Sequence, residues 1–257
     1  MNKKINILVI IITSILLLQS SIYAFSLNVE PTKMFFYGGN ETKSIIVKNN
    51  GKENMAISIY LRDWEYKGKG KVFLETGKSK YSLYKWVSVS STSLNLKPGE
   101  EKEVNVTVKP DSNIKGGYVG VVFFESQIGT KDKGKVMISG RIGTLIFLEP
   151  VGKVTRKGNI TQVKTTQAKD KKVETTLAFF NEGDSHIFLK GNIVIVDYQG
   201  NILDKIKFQD WGTLPKIPSE ITKRFTKELL PGNYVLVATV DMDIGKPLVI
   251  EKNITVK

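Results

Sequence analysis

Short runs of alternating apolar and polar residues, broken by Gly, Asn or Pro about every 8–15 residues, fill the chain from residue 25 onward and leave almost no helical periodicity. In Glu103–Val108 the apolar positions are Val104, Val106 and Val108; in Met55–Trp64 they are Met55, Ile57, Ile59 and Leu61. Side chains alternate across a strand, so each run turns one face to a core. Turn signals such as Asn49-Asn50-Gly51, Leu96-Lys97-Pro98-Gly99 and Gln199-Gly200-Asn201 separate the runs. The spacing predicts an all-β chain of tandem sandwiches.

One hairpin organises the sequence. Its first arm, Gly116-Gly-Tyr-Val-Gly-Val-Val-Phe-Phe-Glu-Ser126, is rich in the residues that suit a packed pleated surface. A Gly- and Lys-rich turn at Gly129–Lys135 leads into Val136–Leu148, longer than the roughly 5–6 residues of a typical strand. Pro150-Val-Gly152 then makes a short, stiff join, which predicts a restricted angle between two domains, residues 25–150 and 151–257. The halves echo one another: Asn49-Asn50-Gly51 and Asn181-Glu182-Gly183 each follow a strand, and a Leu-x-Pro-Gly type turn precedes an alternating run in each.

Residues 1–24 read as a cleaved signal peptide. Lys3 and Lys4 precede a nearly all Ile, Leu and Val stretch, and the polar tail ends at Ala24. An uncleaved membrane anchor is the alternative, although the apolar run falls short of the ~20 residues that span a bilayer. The mature protein is expected to be periplasmic or extracellular, with no stable membrane insertion. The chain contains no cysteine, so disulfides, thiolate metal sites and cysteine nucleophiles are excluded. Its net charge is +13, yet 34 of the 38 basic residues are Lys and 4 are Arg, and they are dispersed. Nucleic-acid recognition favours clustered Arg forks, so the charge reads as a solvated surface with some affinity for anionic envelope polymers.

Reactive chemistry is sparse. His186 is the single histidine and starts an apolar strand, which fits a structural imidazole; a histidine metal centre lacks ligands. Asp241 and Asp243 share a strand face and could begin a calcium site, with a solvated strand end as the plainer reading. Lys67-Gly-Lys-Gly-Lys71 reads as a solvated loop, because no strand-to-helix context makes it a phosphate cradle. Tyr81, Tyr84 and Trp86 are expected to pack within a strand over Ser79–Ser93. The Asn-x-Thr triplets at Asn40, Asn105, Asn159 and Asn253 read as coincidences in a bacterial-type exported chain. No cofactor and no enzymatic activity are expected.

Thr32-Lys33-Met-Phe-Phe36, the Ile45–Gly51 strand and turn, Leu96-Lys-Pro-Gly99 and Leu145-Ile-Phe-Leu-Glu-Pro150 resemble, in order and spacing, the periplasmic pilus-assembly chaperone superfamily. The resemblance implies two immunoglobulin-like domains, exported subunits as partners, and a strand lent to a subunit that lacks its own. It also implies a basic pair that holds the subunit's terminal carboxylate. Lys33 falls at the first of those positions; the second falls near Thr144 or Leu145, neither of which is basic. Gly116–Glu125, Asp197-Tyr-Gln-Gly200 and Leu230-Pro-Gly-Asn-Tyr234 are similar to surface proteins that bind WxL-domain partners and peptidoglycan. That second resemblance implies a structural or adhesion module with cell-wall contact. It lacks here the C-terminal membrane helix and basic tail usual in those proteins.

The expectation is therefore a chaperone-like protein that works by strand addition along Val136–Leu148. Val136, Ile138, Ile142 and Thr144 are the candidate strand-edge residues, with Gly140 a gap in their row. Lys33 and Arg141 are the candidate cleft cations, Arg141 about 13 Å from Leu145 at ~3.3 Å per residue.

Overall fold

The computed structural model describes residues 26–68, 70–128, 138–168 and 170–256. Val136, the hairpin turn and the signal segment lie outside the described residues. The chain is all-β: two tandem immunoglobulin-like β-sandwiches, with no helix among the described residues.

The first sandwich opens with β1 (Leu27–Glu30) and β2 (Lys33–Phe36), separated by Pro31. Proline cannot donate to a ladder, and here the strand changes sheets across it. β1 pairs with β3 (Glu41–Asn49) in a sheet of order β1-β3-β8-β6, where β8 is Glu101–Val108 and β6 is Val87–Val89. β2 joins the facing sheet, β2-β10-β9-β4-β5, made with β4 (Met55–Lys67), β5 (Gly70–Leu74), β9 (Tyr118–Ile128) and β10 (Ile138–Leu148). A short β7 (Ser93–Leu96) pairs with the start of β4.

The predicted alternation holds in detail. Val104, Val106 and Val108 are fully buried, and Met55, Ile57 and Ile59 join them in one core with Ile45, Phe124 and Ile146. Residues 79–86 depart from the expected strand. They form a turn that lowers Leu83 into the core, with Ser82 making a single parallel bridge to Val119, and a strand forms only at Val87–Val89. Asp63 causes this: its buried carboxylate accepts the amides of Lys78 and Ser79 and the hydroxyl of Ser82, which bends the segment.

The second sandwich sets β11 (Gly158–Gln167), β12 (Lys172–Asn181) and β15 (Pro218–Glu228) against β14-β13-β16-β17. Here β13 is Ile187–Val196, β14 Ile202–Thr213, β16 Gly232–Asp241 and β17 Leu248–Val256. Leu177, Phe179, Ile193, Ile195 and Phe225 centre its core. β14 runs five residues past the expected end at Phe208. A bulge makes this possible: Leu189 pairs with Trp211 and Gly191 with Phe208, so Gln209 and Asp210 stand against Lys190 alone.

A third apolar cluster lies between the sandwiches. Trp64, Val119, Val121, Phe123, Phe147 and Leu214 are buried there, with Phe35, Tyr66, Phe188 and Ile217 packed on them. Gly116 and Gly117 bring the domains close. The amide of Gly117 donates to the carbonyl of Asp184 at 2.8 Å, and a Cβ on Gly117 would lie 2.3 Å from the Ser185 hydroxyl. The restricted angle expected from the short join thus has a packed interface behind it.

Candidate functional site: an open strand edge beside a basic aromatic cleft

β10 carries the expected strand, and its two flanks differ. On one side all 11 of its residues pair with β9, from Ile138–Ile128 to Leu148–Tyr118. On the other, β2 pairs in parallel only from Leu145, opposite Lys33, to Leu148, opposite Phe36. Among the described residues no strand pairs with the outer flank of Ile138–Thr144, which is roughly 23 Å long at ~3.3 Å per residue. Backbone groups left unpaired at a sheet edge are a template for another strand.

The sequence-predicted residues fall on two faces of this strand. Ile142 is half-buried against the first core, on the inward face. Thr144, on the same face, is fully buried, and its hydroxyl donates to the carbonyl of Pro31 at 2.8 Å. Thr144 thereby fastens the point where β2 joins and has no side chain to offer outward. Ile138 opens the strand opposite Ile128. Arg141 is exposed on the opposite face, its guanidinium 4.7 Å from the ring centre of Phe123 and 5.7 Å from that of Phe73.

That opposite face continues into the cleft between the domains and is paved with rings. Phe35 stacks on Phe147 at 5.1 Å, and Trp64 meets Phe147 and Tyr66 edge-on at 5.8 and 5.4 Å. Lys33 projects here: its ammonium lies 4.8 Å from the Phe188 ring centre and 3.2 Å from Asp210 Oδ1 of the second domain. Such cation–ring contacts add about 0.5–1 kcal/mol each at exposed sites.

Lys71 was not among the sequence-predicted residues. It belongs to the loop expected to be merely solvated, yet the tight β4–β5 hairpin lays its ammonium 5.5 Å from the Tyr66 ring centre and 5.8 Å from that of Trp64. The residue remains exposed overall, but desolvation beside the rings, and then the positive charge of Lys33, pull its pKa below the ordinary lysine value. The signal is local: Tyr66 and Lys71 stand opposite one another in the β4–β5 ladder, so reading these residues as a hairpin and not as a loop places Lys71 beside the rings. Burial also pushes Tyr66 up to about 12. Tyr60 is raised as well, by burial first and then by its hydrogen bond to Glu125.

The remaining sequence candidates are engaged in contacts within the chain. His186 is 5 % exposed among Phe35, Phe147 and Phe188, and burial lowers its pKa to about 3. Asp241 and Asp243 both pair with Lys190, which supplies the positive charge a cation would bring. No group of three or more metal-ligating side chains occurs among the described residues. Tyr81 crosses to the second domain, donating its hydroxyl to the carbonyl of Pro215. Trp86 donates to Asp111 and lies edge-on to Tyr118.

No protein-family model and no curated protein sequence matches the chain. Solved structures similar to it include fimbrial chaperones. A class 5 fimbriae chaperone, CfaA, has 15% identity and a TM-score of 0.49, with 88% of this chain and 99% of that chain covered. The CsuC–CsuE chaperone–tip adhesion subunit complex of Acinetobacter baumannii Csu pili has 12% identity and a TM-score of 0.46, covering 88% and 97%. The E. coli chaperone DraB has 13% identity and a TM-score of 0.42, covering 91% and 98%.

Proposed function

We propose that this is an exported, chaperone-like protein that holds a partner subunit by strand addition on the outer flank of Ile138–Thr144. The observation that carries the reading is the ladder on β10, paired throughout with β9 but with β2 only from Leu145 onward. A partner strand laid along the free flank would gain main-chain hydrogen bonds, while side chains at every second position meet the inward row that contains Ile142. Gly140 leaves room in that row for a larger partner side chain.

A partner strand parallel to β10 would end beside Thr32 and Lys33, where β2 begins. Its terminal carboxylate would then meet Lys33, with Lys71 as the second cation that the sequence resemblance left unassigned. Lysines offer point charges here and not the bidentate fork of arginine, so the anchor favours an anion without fixing its orientation.

The test is co-expression with neighbouring exported proteins. A stable pair should be recovered, and Ile138→Asp with Ile142→Asp should abolish it. A pair that survives both charges would show that the contact lies elsewhere. Retention on isolated cell wall, unaffected by those substitutions, would favour the surface-module reading.

A further inference from the structure

Lys33 already holds a carboxylate, and that carboxylate belongs to the same chain. Asp210 reaches it from the second domain, Oδ1 to Nζ at 3.2 Å, with the Asp210 side chain 66% and the Lys33 side chain 32% exposed. Asp210 is able to do so because of the β14 bulge, which sets two residues against one at Lys190 and re-aims the side chain. Its φ is +56°, the left-handed region that Asp and Asn enter more readily than other non-glycine residues. The backbone is thus held in an uncommon conformation at the one residue of β14 that meets the cleft cation.

The charges beside it do not balance locally. Lys71 stands over the Trp64 and Tyr66 rings of the same cleft, where desolvation first and then the positive charge of Lys33 lower its pKa, and among the described residues it forms no ion pair with a carboxylate. Of the two cations, Lys33 has a carboxylate beside it in the ion pair with Asp210, and Lys71 sits on the rings. An exposed ion pair of this kind contributes about 0.2–1 kcal/mol, so a second carboxylate brought in by a bound strand can displace it.

We infer that Asp210 is a built-in stand-in for the partner's terminal carboxylate, occupying Lys33 in the free protein and giving it up when a subunit docks. The inference rests on the strand-addition reading above and adds to it a competition between domains. While Asp210 holds Lys33, the cleft discriminates against weak or misdirected anions. A strand that is also hydrogen-bonded along Ile138–Thr144 delivers its carboxylate at a high effective concentration and wins the exchange.

The probe is a synthetic nine-residue peptide of alternating Thr and Val with a free C-terminal carboxylate, paired with the same peptide ending in an amide. Binding to the exported chain is measured by fluorescence anisotropy at low salt. Asp210→Asn keeps the side chain's shape and its tolerance of positive φ but removes the charge. The inference predicts that Asp210→Asn tightens the acid peptide about two- to fivefold, leaves the amide peptide unchanged, and that Lys33→Met removes the preference for the acid. Unchanged or weaker binding of the acid peptide to Asp210→Asn, with the acid preference of the parent intact, overturns the stand-in role and leaves the anchor standing. Absence of any acid preference in the parent, absence of binding included, overturns the carboxylate anchor and this inference together.

Discussion

Lys33 and Leu145 form the first pair of the parallel ladder between β2 and β10, and β10 changes character at that pair. Beyond it the strand is enclosed and its side chains Ile146, Phe147 and Leu148 are buried. Before it, among the described residues, the strand is paired from one side only. The same residue, Lys33, closes the enclosed stretch and presents a charge to the cleft, which couples the end of the open edge to the interface between domains.

Acid should loosen the molecule through His186. Its folded pKa, about 3, lies below the ordinary value of 6.5, so between these values the unfolded chain binds more protons than the folded one. Stability from the neutral imidazole is therefore complete above pH ~6.5 and declines as the pH falls towards 3. From pH 7.5 to 5.0 this amounts to about 2 kcal/mol. Urea unfolding at the two pH values should show the loss, and His186→Phe should reduce the pH dependence by a similar amount.

The join between domains depends on a buried carboxylate. Glu149, 7% exposed, accepts hydrogen bonds from Arg156 and from the hydroxyl of Ser185. Arg156→Ala strands a charge in an apolar setting and should cost about 1–3 kcal/mol. Glu149→Gln with Arg156→Ala should recover part of that loss. Denaturant midpoints of the two single variants and the double variant would measure the coupling.

Asn49 and Asn181 perform the same task in the two sandwiches. Each is fully buried, each accepts the amide two residues on at 2.9 Å, and each donates its side-chain amide inward, Asn49 to the carbonyls of Glu53 and Leu96, Asn181 to the Ser185 carbonyl and Thr213. Replacement of either by Ala should cost about 1–3 kcal/mol, because it orphans buried backbone groups. Thermal unfolding would show whether the two losses are alike, as the matched geometry requires.

This pair also shows what the sequence made legible. The echo of Asn-x-Gly, the alternation of Val104, Val106 and Val108 and the length of the second hairpin arm are local signals, and local signals suffice for strands, turns and a two-sandwich plan. The cleft is different. Tyr81 reaching Pro215 and Asp210 facing Lys33 each join residues far apart in the chain, and no spacing encodes them. The expected strand through Tyr81 and Tyr84 failed because Asp63 captures that backbone from another part of the sequence. Likewise, a strand's length announces β10, but which of its flanks β2 covers is settled only by the register at Lys33.

The most direct measurement is amide hydrogen exchange, resolved by residue, along Ser139–Thr144 in the free protein and in the pair with its subunit. An open edge predicts alternation in the free protein, with every second amide slow through its bond to β9 and those between them fast, and slowing of the fast set on pairing. Uniform protection of the whole segment in the free protein, or fast amides that stay fast in the pair, would contradict the account.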